Sequence, residues 1–169
     1  MPNLEKEISN HNHKTLQNAN KTSEDKNNKL CNCRVKSTCP VNGECLTKGV
    51  IYKATVSHDN NERIYIGSTG RQFKSRYYEH IQSFKSEVKK ESTRLSRFIH
   101  KIKKNNIDWK DNIKWEIIQR TNQSKPGKIC SLCNLERLEI AFADSNKLLN
   151  LRSELVGKCR HFSKFYLKS

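Results

Sequence analysis

The chain has 169 residues, of which 34% are hydrophobic and 30% are charged, and its formal charge is +16. This length suits one small domain with an appendage, and so high a positive charge is typical of proteins that bind nucleic acid, although a solvated basic surface gives the same composition. No apolar run reaches the roughly 18 residues of a membrane span, and the first residues lack the apolar stretch of a secretory signal. We therefore expect a nuclear or cytoplasmic protein and not a secreted one.

The first 48 residues divide into two segments. Residues 1–29 are rich in Asn, Lys, Ser, Thr and Glu, with few large apolar side chains, so we expect them to be disordered. Residues 30–48, here named the cysteine knuckle, contain "CNCRVKSTCPVNGEC". Seven cysteines in a chain without a secretory signal favour metal binding over disulfides, and so does their odd number. We predict a zinc site formed by Cys31, Cys33, Cys39 and Cys45.

A hairpin is predicted next. Residues 49–56 and 63–67 are rich in β-branched and aromatic side chains, and "SHDNNE" between them supplies Asp and Asn for a turn. The two strands present Tyr52 and Tyr65. Taken alone, these tyrosines are as well explained by ordinary packing as by a functional role.

The stretch "STGRQFKSRYYEHIQSF" predicts the first helix. Phe73, Tyr77, Ile81 and Phe84 recur at helical spacing and form one apolar stripe. Arg76 and His80 lie four residues apart, so they share a face, which we expect to be a more polar side next to that stripe.

The remaining elements complete an α+β pattern. A second helix is predicted after Ser92 or Thr93, either of which can cap it, and "NIKWEII" predicts a third strand by its alternation. A third helix is predicted over residues 131–143. The order strand, strand, helix, helix, strand, helix indicates a small three-stranded antiparallel sheet flanked by helices.

A second group of metal-binding side chains lies at the start of the third helix and near the end of the chain. Cys130 and Cys133 are separated by two residues, and Cys159 and His161 follow later. Together with the knuckle they make eight ligands, enough for two tetrahedral, structural zinc sites. Two alternatives stay open: the ligands are partitioned differently, or Cys130 and Cys133 are simply buried thiols.

Several side chains have the chemistry of phosphodiester cleavage. That reaction needs a carboxylate to hold a metal, a cation for the phosphate charge, and a base to activate water. Glu136, Arg76 and either a tyrosine or His80 supply these groups. Each alone has an ordinary explanation, as a helix ion pair, a solvated charge or a surface histidine, but the set together favours cleavage.

The chain resembles a GIY-YIG endonuclease of the kind attached to Penelope-like retroelements. The resemblance rests on Val50-Ile51-Tyr52, Tyr65-Ile66-Gly67, "RYYEH", "CSLCNLE" and "LLNLRSELVGKCRHFSKF", and it runs from about Cys31 to the end. The closing segment and the upstream cysteines favour the retroelement branch over repair and homing relatives. The resemblance implies a GIY-YIG domain over residues 49–169 that includes the second zinc site.

The same resemblance implies a site of six residues, namely Tyr52, Tyr65, Arg76, His80, Glu136 and Asn150. Tyr52 corresponds to the proposed general base, with His80 as the alternative base, and Arg76 corresponds to the phosphate contact. Glu136 corresponds to the sole carboxylate ligand of one Mg²⁺, and Asn150 completes the site.

The two motifs differ in where their glycine lies. Gly67 is expected to leave room where a side chain would obstruct. In the first motif Val50 stands where the family has glycine, and Gly49 lies one position earlier.

We therefore expect a Mg²⁺-dependent DNA endonuclease that nicks one strand and serves target-primed integration. Its expected partners are DNA and a reverse transcriptase domain or its RNA template. The alternative is a zinc-stabilised nucleic-acid-binding module without catalytic activity. A disulfide-rich secreted protein is disfavoured by the odd cysteine count and the missing signal sequence.

Overall fold

The structure, a computed structural model, describes residues 29–59, 61–121, 130–156 and 159. The predicted segment 1–29 therefore lies outside the described residues except for Lys29, and so does His161. The helices and strands are β1 (Val50–His58), β2 (Asn61–Thr69), α1 (Phe73–Lys85), α2 (Arg94–Lys104), β3 (Ile113–Arg120) and α3 (Ser131–Phe142). Within the described residues, short 3-10 helices span Lys36–Thr38, Glu87–Lys89 and Arg152–Val156.

The three strands form one antiparallel sheet in the order β2-β1-β3, which confirms the predicted α+β class. The hairpin pairing continues to His58 opposite Asn61, so the turn is shorter than the six residues predicted. Asp59 in this turn has a φ of 48°, a left-handed conformation that Asp tolerates better than most residues. The register between β1 and β2 matters for the site, because it places Tyr52 opposite Gly67.

The sheet separates two apolar clusters, as the period of two along β1 requires. Val50, Tyr52, Ala54 and Val56 belong to a cluster that includes residues of α1, α2 and the cysteine knuckle. Ile51 belongs to a second cluster with residues of α3. One face of the sheet therefore packs against α1, α2 and the knuckle, and the opposite face packs against α3.

Two further predictions concern α2 and the membrane. Thr93 caps α2, since its hydroxyl oxygen accepts a hydrogen bond from the Ser96 amide at 3.0 Å, which confirms one of the two predicted caps. Among the described residues, no helix has the length and apolar character needed to cross a membrane.

Candidate functional site

Tyr52 lies at the centre of a buried hydrogen-bond chain. Its hydroxyl oxygen accepts a hydrogen bond from Arg76 Nε at 3.1 Å and lies 2.8 Å from His80 Nε2. Tyr52 and His80 are only 0% and 1% exposed. The spacing of four residues on α1 brings Arg76 and His80 to the same oxygen, as the shared helix face predicted.

The predicted surroundings of His80 are wrong. His80 does not lie on a polar side of α1; it is buried on the same helix as Phe73 and Phe84, whereas Tyr77 is only half-buried. Its ring centroid lies 5.3 Å from that of Trp115 and 5.8 Å from that of Tyr65. Counting only apolar residues in the helical stripe left His80 out of the core, although an imidazole with a hydrogen-bond partner can pack there.

The protonation states in this chain follow from its hydrogen bonds. Arg76 can only donate to the Tyr52 oxygen, so we assign Tyr52 as the donor to His80 Nε2, and this assignment makes His80 a neutral imidazole with its hydrogen on Nδ1. Burial, with the Arg76 charge, lowers the pKa of His80 to about 3. Burial also raises the pKa of Tyr52 to about 12, although Arg76 opposes the rise. The resting site therefore holds a neutral histidine and a neutral tyrosine.

Gly67 makes room for the Tyr52 ring. A Cβ at this position would lie 2.5 Å from Tyr52 Oη and 2.6 Å from its Cζ, well inside contact distance. Gly49 serves the backbone instead, because its φ is +63° and a Cβ there would meet the Thr121 carbonyl oxygen at 2.7 Å. Val50 is fully buried in the core. The displaced glycine thus shapes the entry to β1, and Val50 fills the core position after it.

A cavity of about 530 Å³ adjoins the hydrogen-bond chain formed by Arg76, Tyr52 and His80. Its wall includes Tyr65, Arg76 and Glu136. Tyr52 and His80 do not line it. Arg76 is therefore the group that connects the buried chain to the cavity. Burial alone would lower the pKa of Arg76. Tyr52 and Glu79, which both accept hydrogen bonds from Arg76, raise that pKa above its ordinary value, so Arg76 is a permanent cation.

Glu136 faces this cavity from α3. Burial raises its pKa, hydrogen bonds with the Ser68 side chain and backbone oppose the rise, and the nearby charge of Glu154 adds to it. Glu154 lines the same cavity, so Glu136 is not the sole carboxylate there. Sequence reasoning missed Ser68 and Glu154, although Ser68 directly follows the second motif and Glu154 lies four residues after Asn150.

Asn150 stands behind the cavity wall and holds the chain to β2. Its side-chain oxygen accepts from the Ile66 amide, and its Nδ2 donates to the Ile66 carbonyl, both at 2.8 Å. Nδ2 also donates to Glu154 Oε2 at 2.8 Å. Asn150 therefore acts as an anchor that orients Glu154, and it does not itself line the cavity.

The first cysteine cluster has the geometry of a tetrahedral metal site. The sulfurs of Cys31, Cys33, Cys39 and Cys45 all lie within 4.8 Å of one another, as predicted. Cys45 Sγ lies 3.6 Å from Cys31 Sγ and 3.8 Å from Cys33 Sγ. A tetrahedron with Zn–S bonds of about 2.3 Å has sulfurs about 3.8 Å apart, whereas a disulfide requires about 2.05 Å. These four residues fit zinc and could hold it.

A second cluster lies at the start of α3. The sulfurs of Cys130, Cys133 and Cys159 lie within 4.8 Å of one another and could also hold a metal ion. The predicted fourth ligand, His161, lies outside the described residues. Cys130 is the cap of α3, because its sulfur accepts from the Cys133 amide at 3.5 Å. The cluster therefore sits one helical turn before Glu136.

Comparison with protein-family models, with curated proteins and with solved structures found no match to this chain. A function for it therefore has to be inferred from its own residues and their geometry.

Proposed function

We propose that this chain is a Mg²⁺-dependent DNA endonuclease of the GIY-YIG type that hydrolyses one phosphodiester bond and leaves a nick. One observation carries the proposal: the buried chain Arg76–Tyr52–His80 opens, through Arg76, onto a cavity whose wall also carries Glu136. A cation and a carboxylate thus line one space large enough for a phosphate and its attacking water, and Arg76 joins that space to the proton acceptor buried behind it.

Glu136 is the residue that would hold Mg²⁺, a hard cation that prefers carboxylate oxygens and keeps several waters. Glu136 offers a carboxylate in the wall of the cavity, and a cation held there would offset the effect of burial and of the Glu154 charge on its pKa. When bound, Mg²⁺ would supply an activated water and neutralise phosphate charge.

Arg76 would contact the scissile phosphate, since it is the positively charged member of the hydrogen-bond chain and it lines the cavity. A phosphate that draws Arg76 towards it leaves Tyr52 Oη exposed to the attacking water. Arg76 would then stabilise the negative charge that develops on the phosphate oxygens.

Tyr52 would be the base, with His80 as its proton relay. Burial is the main cause of the raised pKa of Tyr52, and the Glu136 charge is a smaller cause that a bound cation would offset. Tyr52 would accept a proton from the attacking water as it passes its own proton to His80 Nε2, and the resulting imidazolium would return that proton through Tyr52 after the bond is cleaved. A histidine with a pKa of about 3 does not retain the extra proton, which suits a relay.

In this proposal both cysteine clusters bind zinc and the zinc ions are structural. The nick serves target-primed integration of a Penelope-like element, with a reverse transcriptase domain or its RNA template as the partner. The closing motif and the two cysteine clusters support this branch of the family. The charge of +16 supports DNA as the polyanion.

Relaxation of supercoiled plasmid in Mg²⁺ tests the proposal. The zinc-loaded chain is expected to nick, whereas Glu136→Ala and Tyr52→Phe are not. Glu116→Gln serves as the matched control, because Glu116 is an exposed carboxylate paired with Lys53 on the sheet. Failure of the folded, DNA-binding chain to nick with any divalent metal refutes the proposal, and equal nicking by Glu136→Ala refutes the assigned ligand.

A second function, nucleic-acid binding without catalysis, is supported by the complete enclosure of Tyr52 and His80. In that case these residues are core packing, and the chain binds DNA with an affinity that falls steeply with salt but does not nick. The plasmid assay, run beside a salt titration of binding, separates the two functions.

A further inference from the structure

Helix α1, which carries Arg76 and His80, begins without a side-chain cap of its own. The first amides of any helix have no partner within the helix and must find one elsewhere. In α1 the Phe73 amide donates to the Thr47 carbonyl at 2.9 Å, and the Lys74 amide donates to the Cys45 carbonyl at 2.6 Å. The cysteine knuckle therefore supplies the cap of this helix from its backbone.

Two other contacts attach the knuckle to the same end of α1. Lys74 Nζ donates to Asn32 Oδ1 at 2.5 Å. Cys39, Val41 and Cys45 are buried in the cluster that contains Phe73. Hydrogen bonds and packing thus both attach the start of α1 to the knuckle, and the Phe73 ring also packs against Tyr52 and Trp115 of the sheet.

Cys45 joins the metal cluster to the cap. Its sulfur lies among the four that could hold zinc, and its carbonyl accepts from Lys74, two residues before Arg76. Of the regular elements, the knuckle has only the three-residue 3-10 helix Lys36–Thr38. So little regular structure is typical of small zinc domains, whose segments are ordered by their metal.

We propose that zinc in the cysteine knuckle sets the position of α1, and through it the hydrogen-bond chain from Arg76 through Tyr52 to His80. Asn32, Cys45 and Thr47 are then positioning residues of the site. Their part in catalysis rests on the proposed function, whereas the structural coupling does not. Helix α2 offers the contrast, because Thr93 caps it with an ordinary side chain and no cysteine takes part.

The tautomer of His80 reports this coupling without any need for nicking. We would record long-range ¹H–¹⁵N spectra of the zinc-loaded full chain, assigning His80 by the signals lost in His80→Gln. The hydrogen bond from Tyr52 predicts a single tautomer with its hydrogen on Nδ1. Cys33→Ser is expected to lose one zinc ion and shift His80 to a mixture of tautomers. Cys159→Ser, the matched control in the other cluster, loses a zinc ion but leaves the His80 signals in place.

A second pair of variants keeps all four knuckle cysteines in case Cys33→Ser does not fold. Lys74→Pro removes the amide that donates to Cys45, at a first-turn position where proline is tolerated, and Lys74→Ala keeps that amide. Both are expected to retain zinc, but only Lys74→Pro displaces the His80 signals and lowers kcat of nicking by roughly 100-fold. Unchanged His80 signals in both Cys33→Ser and Lys74→Pro overturn the inference. Failure of the natural chain to nick, with these shifts present, overturns the proposed function alone.

Discussion

The two halves of the candidate site solve the problem of buried polar groups in opposite ways. The aromatic half, Tyr52 with His80 and Arg76, is enclosed and hydrogen-bonded, and burial keeps its tyrosine and histidine neutral. The acidic half, Glu136 with Glu154, faces a cavity, and its carboxylates repel each other. The first half reaches the cavity through Arg76, whereas the second opens directly onto the cavity, where we propose that it holds a cation.

The two halves nevertheless share one feature, since each depends on a helix that starts at a cysteine cluster. The knuckle caps α1 through the carbonyls of Thr47 and Cys45, and Cys130 caps α3 through its sulfur. The clusters differ in the atom that does the capping. A metal ion in either cluster would fix one wall of the same cavity, which predicts that the two can be perturbed separately.

The largest effect is expected from a substitution of Glu136 in the acidic half, which should lower activity without lowering stability. Glu136→Gln is expected to lower the nicking rate by roughly 10³-fold, because the amide is a poor ligand for Mg²⁺. The pKa of Glu136 is raised in the folded state, so its ionised carboxylate destabilises the fold at neutral pH. The neutral amide of the variant should therefore not lower the melting temperature. Nicking assays beside thermal unfolding without divalent metal test both. A large loss of stability would show that Glu136 supports the fold and is not held there for a cation.

In the aromatic half, Gly67→Ala should cost about 1–3 kcal/mol of unfolding free energy, because its methyl group overlaps the Tyr52 ring. Denaturant unfolding measures this. The cost should persist in a Tyr52→Phe background, since Cζ as well as Oη lies too close, and should vanish in Tyr52→Leu. An equal cost in all three backgrounds would show that the ring is not the obstacle.

The neutral His80 predicts a pH dependence. Its pKa is depressed to about 3 in the folded chain against 6.5 unfolded, so its contribution to stability is present above pH 6.5 and is lost as the pH falls towards 3. Between pH 7.5 and pH 5 the natural chain should lose about 2 kcal/mol more than His80→Gln. Unfolding curves of both proteins at the two pH values measure the difference. Parallel losses would mean that His80 is not held neutral.

The smallest effect is expected outside both halves. Thr93→Ala removes the side-chain cap of α2 and should cost about 1 kcal/mol of unfolding free energy. Because this cap involves no cysteine cluster, the zinc content should stay unchanged. Loss of zinc on this substitution would contradict the separation between ordinary caps and metal-dependent caps.

Much of the fold follows from local patterns, but parts of the site do not. The β-branched and aromatic residues of β1, the alternation in β3 and the Thr93 cap can be recognised in the sequence because each depends on neighbouring residues. The burial of His80 depends on Trp115 from another strand, and the cap of α1 depends on backbone carbonyls of the knuckle. The carbonyl of any residue can accept such a hydrogen bond, so this kind of cap cannot be recognised from residue types. The position of Glu154 depends on Asn150, which donates to its carboxylate and also bonds the backbone of Ile66, far away in the sequence.

Paramagnetic broadening by Mn²⁺, used in place of Mg²⁺ on the ¹⁵N-labelled, zinc-loaded chain, shows directly whether the acidic half holds a cation. A cation held by Glu136 beside Arg76 should broaden the amides of Tyr65, Ser68 and Arg76 at substoichiometric Mn²⁺, leave the cysteine knuckle sharp, and lose this effect in Glu136→Gln. Broadening that begins elsewhere, or that survives in Glu136→Gln, would contradict a catalytic metal site at Glu136.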